Sequence, residues 1–307
     1  MTAIVVEHLT KRYGNLAAVD DVSFAVPDGQ LLAVLGPNGA GKTTTLETLE
    51  GFLSPTSGTV SVLGANPRHG GRAWRSRIGL VLQSTSLEPT LTARVVLQRF
   101  AALYPAPRPV DEVLDVAGLA AEADVRISAL SGGQRRRVDV AVGIIGRPDI
   151  LFLDEPTTGL DPEARREAWA GVRNLNTGGT TVVLTTHYIE EADQLADRVI
   201  VLSGGRIAAD TTPAGLRARG GDSTIRYPLP AGLTAGELPA GLGACFDPVR
   251  KMLIIRTSDV TADLQRLTSW ASRRQLDLTG IEVGPPTLEE AYLAVTGEAT
   301  PQERTLS

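Results

Sequence analysis

The sequence predicts an α/β protein whose core is a mostly parallel sheet covered by helices, followed by a second, smaller α/β domain. Short continuous apolar runs recur between Gly-rich or Pro-rich breaks, which is typical of strands buried on both faces. Stretches with helical spacing separate several of these runs, and such alternation favours parallel pairing. The predicted strands of this sheet are Leu31–Leu35, Ile78–Leu82, Ile150–Leu153, Val182–Leu184 and Val199–Leu202.

The first domain is predicted to cover residues 1–216 and to carry a helical insertion over residues 84–134. The inserted region is rich in Leu, Ala and acidic residues, and its first 46 positions contain no strand-like apolar run. Helical spacing also predicts helices over Pro162–Asn174 and Ile189–Asp197.

A change of composition after Pro213 predicts a small α/β accessory domain over residues 217–307, because a Gly/Arg break and a Gly/Pro-rich loop follow there. Thr287 with Glu290 three residues later is a capping-box pattern, which predicts a last helix over Leu288–Val295. The other predicted elements are strands at Ile225–Leu229, Leu253–Thr257 and Leu276–Val283, and a helix face at Leu264, Leu267 and Trp270.

Composition narrows the class of function. The chain has 307 residues, 42% of them hydrophobic and 21% charged, as expected for a globular protein of about two domains. The formal net charge of −5 argues against a nucleic-acid partner, which requires a basic surface to neutralise phosphates. The sequence has neither a signal segment nor an apolar run of the roughly 18–20 residues that span a bilayer, and Cys245 is its single cysteine. We therefore expect a cytosolic protein, and the excess of Arg over Lys with abundant Ala suggests a GC-rich bacterium.

A glycine-rich phosphate loop (residues 36–44) follows the first strand of the predicted sheet and opens a helix over Thr43–Glu50. Glycines let backbone N–H groups converge on an anion, the lysine adds charge toward the β- and γ-phosphates, and the next threonine hydroxyl can bind Mg²⁺. A glycine-rich turn without a ligand is the alternative interpretation. The predicted phosphate-binding residues are Gly36, Pro37, Asn38, Gly39, Ala40, Gly41, Lys42, Thr43 and Thr44.

Two carboxylates end the predicted strand at Ile150–Leu153. We expect Asp154 to hold Mg²⁺ together with Thr43 of the phosphate loop. Glu155 follows where alternation along the strand end aims it differently from Asp154, so it can orient and polarise a water. A local cap or ion pair is the alternative role for Glu155.

A second candidate anion site, the signature segment Leu130–Gln134, lies between these elements. It stands at the start of a predicted helix, where free N–H groups and the helix dipole attract anions. The run Arg135–Arg137 that follows either contacts a partner or forms a solvated helix face, which is the commoner fate of a charge run. The predicted phosphate-binding residues here are Ser131, Gly132, Gly133 and Gln134.

With these elements in this order, the sequence resembles the nucleotide-binding subunit of ABC (ATP-binding cassette) transporters over about Ile4–Leu216. The resemblance implies a P-loop NTPase cassette in which an antiparallel β part and a helical insertion join the mostly parallel sheet. It also implies Mg²⁺-dependent ATP hydrolysis by two copies that face each other head to tail. ATP on the phosphate loop of one copy is then completed by the signature segment of the other.

The resemblance assigns further roles residue by residue. Tyr13 matches the aromatic residue that stacks on adenine, and Val19 lines the same pocket. Gln83 matches the glutamine that touches Mg²⁺ or the water, and His187 matches the histidine that contacts the γ-phosphate. Asp161, at the end of Gly159-Leu160-Asp161, matches a residue of the dimer interface that helps to couple the two sites. Taken without the family, Tyr13 is an ordinary surface or core tyrosine and Gln83 a polar residue at a strand end.

In the implied mechanism, a glutamate acts on the attacking water while a lysine, a histidine and Mg²⁺ stabilise charge on the γ-phosphate. The residues implied in catalysis are Glu155, His187, Gln83 and Lys42, and those implied in metal binding are Thr43, Gln83 and Asp154.

Hydrolysis is expected to open the dimer and so to drive a separate membrane permease subunit through the insertion around Gln83–Arg99. The sequence departs from many relatives in this region, because they carry an acidic residue at the place held here by Arg94 or Val95.

The segment Pro286–Gly297 is similar to the ending of ATP-binding subunits of the daunorubicin-resistance group of drug and antibiotic exporters. This implies export of a hydrophobic drug or antibiotic, with a lipid or polysaccharide as the alternative cargo, from the cytoplasmic face of a bacterial membrane. The accessory domain then either steadies the dimer or regulates it. Two other classes stay open: a soluble ABC ATPase of translation or DNA repair, and a P-loop GTPase switch, for which the signature segment has no purpose.

Overall fold

The computed structural model describes residues 1–82, 87–228, 239, 242, 244–247 and 251–297. The chain divides into two compact units, one ending at Pro213 and one beginning at Ala214, which we describe separately. Among the described residues, no helix is long and apolar enough to cross a membrane.

The first unit contains two sheets and the helices that cover them. Its strands are β1 (Thr2–Tyr13), β2 (Leu16–Pro27), β3 (Leu31–Leu35), β4 (Ser57–Val62), β5 (Ile78–Val81), β6 (Ile150–Asp154), β7 (Thr181–Thr186), β8 (Arg198–Ser203) and β9 (Arg206–Thr211). Its helices are α1 (Lys42–Leu49), α2 (Arg72–Arg75), α3 (Ala93–Ala101), α4 (Val110–Val116), α5 (Gly132–Ile144), α6 (Pro162–Thr177) and α7 (Ile189–Leu195), with 3₁₀ turns at Pro67–His69 and Ile127–Ala129.

The larger sheet has the strand order β5-β6-β7-β3-β8-β9. Its first five strands are parallel, and β9 is antiparallel to β8. Every residue of β3, β6 and β7 is buried, which confirms the prediction of a parallel core covered on both faces. Because parallel strands end at the same edge, the segments that follow β3, β5, β6 and β7 begin at one edge, where ligands bind in open α/β sheets.

A smaller antiparallel sheet with the order β2-β1-β4 forms a second layer. Leu46 and Leu49 of α1 belong to the same buried cluster as Ile4 of β1, Val62 of β4 and Phe152 of β6. Side chains from both sheets therefore hold the helix that follows the phosphate loop, and the loop has a fixed support.

Helices and turns fill residues 87–134 of the predicted insertion, and residues 84–86 at its start lie outside the described residues. Helix α5 begins in the signature segment and packs closely on β5, since a Cβ on Gly143 would lie 2.9 Å from the side chain of Val81. The signature segment is thus attached to a helix that is seated on the central sheet.

The second unit is built on an antiparallel sheet with the order β11-β12-β10-β13. Leu267 and Trp270 share its core with Ile225 and Tyr227, which confirms the predicted helix face. The predicted capping box of the last helix is also present. The elements from the division onward are α8 (Pro213–Arg219), β10 (Ser223–Pro228), β11 (Ala244–Asp247), β12 (Met252–Thr257), α9 (Val260–Arg273), β13 (Glu282–Gly284) and α10 (Leu288–Thr296).

The predicted strand over Leu276–Val283 is wrong for most of its length, because only Glu282–Gly284 pairs with β10. The Asp277 carboxylate accepts hydrogen bonds from the N–H of Thr279 at 2.9 Å and from its hydroxyl at 2.7 Å. The carbonyl of Asp277 accepts a hydrogen bond from the Tyr227 hydroxyl at 2.6 Å. These bonds stabilise a turn, from which neighbouring apolar side chains still reach the core.

Candidate nucleotide site

The phosphate loop joins β3 to α1 and depends on glycine at two close approaches. Gly41 caps α1 with a φ of 98°, and a Cβ on it would overlap the carbonyl oxygen of Ala18 in β2. A Cβ on Gly36 would lie 2.5 Å from the carbonyl oxygen of Leu202 in β8. Only glycine fits both positions without a shift of the backbone, so the loop folds against these two strands as a defined unit.

Lys42 is the charged residue of this loop. Its side chain is buried, and the ammonium Nζ donates hydrogen bonds to the carbonyls of Gly36 at 2.7 Å and Pro37 at 3.2 Å. Burial lowers the pKa of Lys42, while the charges of Glu155 and Asp154 raise it. The ammonium is therefore within electrostatic reach of both carboxylates. The remaining loop residues are exposed or half-buried at Pro37, Asn38, Gly39, Thr43 and Thr44, and buried at Gly36, Ala40 and Gly41.

Thr185 of β7 orients the two carboxylate residues at the end of β6. Its hydroxyl donates a hydrogen bond to Oδ1 of Asp154 at 2.5 Å and accepts one from the N–H of Glu155 at 3.1 Å. Asp154 itself is buried, whereas Glu155 turns away with a φ of 46°. This left-handed conformation is uncommon for a residue with a Cβ and requires support from its surroundings. The turn aims the two carboxylates differently, as the sequence predicts.

The structure brings the predicted catalytic residues Glu155 and His187 together. Nδ1 of His187 lies 3.3 Å from Oε2 of Glu155, and the hydroxyl of Thr158 donates a hydrogen bond to the same oxygen at 3.2 Å. The Glu155 side chain is 12% exposed and the His187 side chain 38% exposed. A carboxylate and an imidazole thus lie side by side and partly exposed, where both can reach a water or a phosphate oxygen.

Beside this pair, the sequence analysis missed an aromatic residue that contacts the histidine and an arginine that contacts the aromatic ring. The ring of Tyr188 lies 4.1 Å from the ring of His187, measured between centroids, and the guanidinium carbon of Arg165 lies 4.3 Å from the Tyr188 ring centroid. The stack links helix α6 to the imidazole and limits its rotation. The tyrosine directly after the histidine is the only sequence signal for it.

A buried carboxylate, Glu191, was also missed. It accepts hydrogen bonds from the hydroxyl of Thr157 and from Nε1 of Trp169, both at 3.0 Å. Burial raises the pKa of Glu191 although its hydrogen bonds oppose the shift. Glu191 therefore ties the turn after Glu155 to the helix after His187.

The signature segment closes on itself at the start of α5. The Ser131 hydroxyl oxygen accepts a hydrogen bond from the backbone N–H of Gln134 at 3.1 Å, and the side-chain Oε1 of Gln134 accepts one from the backbone N–H of Ser131 at 2.8 Å. Ser131 and Gly132 are exposed, whereas a Cβ on Gly133 would lie 3.2 Å from Cβ of Ala164. The Ser131 hydroxyl keeps its hydrogen to donate to a phosphate.

Asp161 caps helix α6 within its own chain. Its Oδ1 accepts hydrogen bonds from the N–H groups of Glu163 at 3.1 Å and Ala164 at 2.9 Å. The role of Asp161 between two copies stays a prediction.

The two residues predicted to hold adenine differ in exposure. Tyr13 at the end of β1 is 49% exposed, and Nζ of Lys11 lies 5.3 Å from its ring centroid. Val19 is 0% exposed and packs behind the phosphate loop, where its Cγ2 would lie 3.3 Å from a Cβ on Gly41. Tyr13 can therefore stack on a base. Val19 is buried in this structure, and its contact with adenine stays a prediction.

Gln83, predicted for both catalysis and metal binding, lies outside the described residues. The residue before it, Leu82, is exposed, and its carbonyl accepts a hydrogen bond from Nη1 of Arg136 at 2.5 Å. The backbone just before Gln83 is therefore hydrogen-bonded to helix α5 through Leu82.

Arg136 contradicts the interpretation of Arg135–Arg137 as one solvated face. Its side chain is buried, and it donates hydrogen bonds to backbone carbonyls after β6, at Asp154 and Pro156, as well as at Leu82. Three successive residues at about 100° per residue cover some 200° of a helix, so a helix packed on two sides must turn one of them inward. Three successive arginines in a predicted helix are therefore the sequence signal that one of them is buried.

Comparison with known proteins shows the family of the chain. The ABC transporter family matches residues 19–158, and the C-terminal domain of ABC transporter domain-containing proteins matches residues 223–287. A daunorubicin resistance ATP-binding protein of Streptomyces coeruleorubidus is 39% identical, over 97% of this chain and 96% of that protein. A Nod factor export ATP-binding protein of Rhizobium etli is 38% identical, over 97% of this chain and 94% of that protein.

Among solved structures, a dimeric ATP-binding cassette bound to ADP and phosphate, in a post-hydrolysis state, is similar in fold. Its TM-score is 0.61 and its sequence identity 28%, over 68% of this chain and 98% of that chain.

Proposed function

Because this chain belongs to the ATP-binding proteins of ABC transporters, we propose that two copies of it hydrolyse ATP between them and thereby drive export through a membrane subunit. The chain is an ATPase of this family and a transporter subunit. The proposal concerns the residues that act, the pairing of copies and the direction and cargo of transport.

The observation that carries the catalytic assignment is the Glu155–His187 pair, with Nδ1 and Oε2 3.3 Å apart. In the proposed mechanism, Glu155 orients a water and accepts its proton as the water attacks the γ-phosphate. Lys42 and His187 stabilise the charge that spreads over the phosphate oxygens, which is the main contribution a protein makes to this reaction. The fixed turn at Glu155 keeps the carboxylate aimed at the water.

The donor set at this edge fits Mg²⁺. Thr43 offers an exposed hydroxyl, and Asp154 offers a carboxylate whose Oδ1 is oriented by Thr185. Mg²⁺ prefers oxygen ligands and is commonly held by one or two side chains together with substrate phosphates and waters. No group of three or more His, Cys, Asp or Glu side chains in the described part of the chain is arranged to hold a metal. When bound, Mg²⁺ neutralises charge on the phosphates; we assign Thr43, Asp154 and Gln83 to it.

The pairing of two copies is supported by the related cassette that was solved as a dimer with ADP and phosphate. The exposed Ser131 and Gly132 provide neutral donors at a helix N-terminus, which suit a phosphate that another copy holds. ATP would then join the two copies, and its hydrolysis would release them.

Export of a hydrophobic drug or antibiotic is supported by the full-length similarity to the daunorubicin resistance protein. The similarity to a Nod factor export protein supports export as the direction of transport and leaves a second class of cargo as the alternative. We place the chain at the cytoplasmic face of a bacterial membrane, where the helical insertion contacts a permease. A tagged chain purified from detergent-solubilised membranes should bring an integral membrane protein with it, and recovery of the chain alone would contradict this placement.

The catalytic assignment is tested by Glu155→Gln in the full chain. We expect kcat to fall about 10²–10⁴-fold, since a general base contributes that much, while the Kd for ATP stays unchanged. Glu190→Gln on α7, an exposed glutamate close in sequence to His187, is the matched control and should keep the native kcat. Hydrolysis by Glu155→Gln at the native rate would remove Glu155 from the role of base.

A further inference from the structure

We propose that Arg136 is a positioning residue for ATP hydrolysis, which joins the signature helix α5 to the backbone that carries the hydrolytic carboxylates of the same chain. This inference rests on the proposed function, in which Glu155 acts on the water and the signature segment serves ATP held by the partner copy.

The contacts of Arg136 converge on two neighbouring strand ends. Its Nε donates to the carbonyl of Pro156 at 2.8 Å, and its Nη2 donates to the carbonyls of Asp154 at 3.0 Å and Glu155 at 3.4 Å. Its Nη1 donates to the carbonyl of Leu82 at 2.5 Å. One guanidinium thus holds the last residue of β6, the two residues that follow it, and Leu82 just after β5.

A guanidinium suits this position because its N–H donors lie in one plane and point in several directions at once. An ammonium is a point charge at the end of a flexible chain, and an amide has two donors on one nitrogen. Asp139, one turn along α5, lies 3.7 Å from Nη1 of Arg136 and offsets its charge. The side chain is therefore oriented from the helix side as well as from the carbonyl side.

The backbone that Arg136 holds is the strained turn of the site. Glu155 has a φ of 46°, a conformation that an L-residue keeps only where the surrounding structure enforces it. Arg136 binds the carbonyls of Asp154 and Glu155, which lie in the two peptide planes on either side of the Glu155 Cα, so it holds both planes of this turn. Without these bonds the turn is free to relax, and the carboxylate then leaves its position beside His187.

The other end of the connection is the signature segment, since Ser131 caps the helix that carries Arg136 five positions later. The same helix is seated on β5 through the close approach of Gly143 to Val81. A shift of the signature segment on contact with a partner's ATP therefore reaches the Glu155 turn directly. In this way, pairing at one ATP site sets the hydrolytic geometry at the other.

The test compares two substitutions at Arg136 with the same substitutions at Arg135, which is exposed on the same helix. Steady-state ATPase rates and Mg-ATP binding are measured on the full chain, and the rates are normalised to the ATP bound per chain. We expect Arg136→Gln to lower kcat about 10- to 100-fold, as a misplacement of about 1 Å does, with an unchanged Kd for Mg-ATP. Arg136→Lys keeps the charge and one donor direction, so its kcat should lie between Arg136→Gln and the native protein.

Arg135→Gln and Arg135→Lys should keep the native kcat. A native kcat in folded Arg136→Gln overturns the inference, and so does a kcat that Arg136→Lys restores fully, because charge alone would then suffice. If both Arg136 variants bind Mg-ATP more weakly and also have a lower kcat, the nucleotide site is damaged in general, and the inference is overturned.

If Arg136→Gln fails to fold, the kcat of Arg136→Lys alone decides the test. A native kcat in Arg136→Lys would then reject the positioning role. Glu155→Gln in the same assay separates this inference from the proposed function. If Glu155→Gln hydrolyses ATP normally, the proposed function fails; if it is inactive while Arg136→Gln is fully active, only the inference fails.

Discussion

The two anion-binding elements of the first unit differ in how far the chain itself completes them. The phosphate loop carries a buried Lys42 whose pKa responds to the charges of Asp154 and Glu155. In the signature segment, by contrast, Ser131 and Gln134 form reciprocal hydrogen bonds between their own side-chain and backbone groups. One element thus presents charge beside the catalytic residues, and the other presents neutral donors at a helix end.

On the proposed mechanism, the phosphate loop binds a nucleotide within one chain, whereas the signature segment contributes only when another copy already holds the phosphates. Damage to the loop should therefore weaken binding by a single chain. Damage to the signature segment should leave that binding intact and reduce pairing.

The largest effect is expected at Gly41. Gly41→Ala combines a φ of 98° with overlap on the Ala18 carbonyl, and it should lower the free energy of unfolding by about 2–5 kcal/mol and abolish ATP binding. Gly39→Ala is the matched control, because Gly39 has a φ of 82° but no atom within 4 Å of its Cβ position. It should cost only about 1–2 kcal/mol. Equal losses in denaturant unfolding would show that the close approach is unimportant.

Lys42→Ala should weaken ATP binding by a single chain about 10- to 100-fold, since a hydrogen bond to a charged group contributes about 1.5–3 kcal/mol. Arg72→Ala removes an exposed positive charge from the short helix α2 and should leave the Kd unchanged. Titration with ATP measures both variants. An unchanged affinity in Lys42→Ala would contradict the phosphate-loop assignment.

Glu50, at the end of α1, should make stability depend on pH. Burial, followed by the charges of Asp154 and Glu47, raises the pKa of Glu50 from 4.5 to about 7. The folded protein therefore binds a proton that the unfolded chain releases between these values, so the free energy of unfolding falls as pH rises from about 4.5 to 7, by about 2–3 kcal/mol. Glu50→Gln should remove this loss, and Glu190→Gln should not. An equally steep pH dependence in Glu50→Gln would exclude Glu50 as its source.

The smallest effect is expected at the signature segment. Ser131→Ala removes a helix cap and should cost about 1 kcal/mol of stability, with unchanged ATP binding by a single chain but weaker pairing. Thr287→Ala removes the corresponding cap of α10 in the second unit. It should cost a similar amount of stability and leave pairing intact. If both variants pair equally well, the signature segment does not serve the partner's ATP.

The sequence predicted most of the larger sheet and the phosphate loop, because both leave a local pattern. Continuous apolar runs marked β3 and β6, which are buried throughout. The glycines of the phosphate loop marked a turn that has no room for a Cβ at Gly36 and Gly41. The position of His187 beside Glu155 required the family resemblance, since a single histidine carries no pattern of its own.

Other features depend on contacts between distant segments and therefore give no local pattern in the sequence. Arg136 has the same local sequence signal as its exposed neighbour Arg135, and only helix packing distinguishes them. Residues 276–283 alternate apolar and polar side chains as a strand does, but the hydrogen bonds of Asp277 with Thr279 stabilise a turn there.

The most direct test of the shared ATP site is the molar mass in solution of Glu155→Gln, first without nucleotide, then with ATP lacking Mg²⁺, and then with Mg-ATP. The account predicts that ATP converts a monomer into a dimer, because each ATP joins the phosphate loop of one copy to the signature segment of the other. Addition of Ser131→Arg should restore the monomer while ATP stays bound. A protein that stays monomeric with one ATP bound per chain would contradict the account.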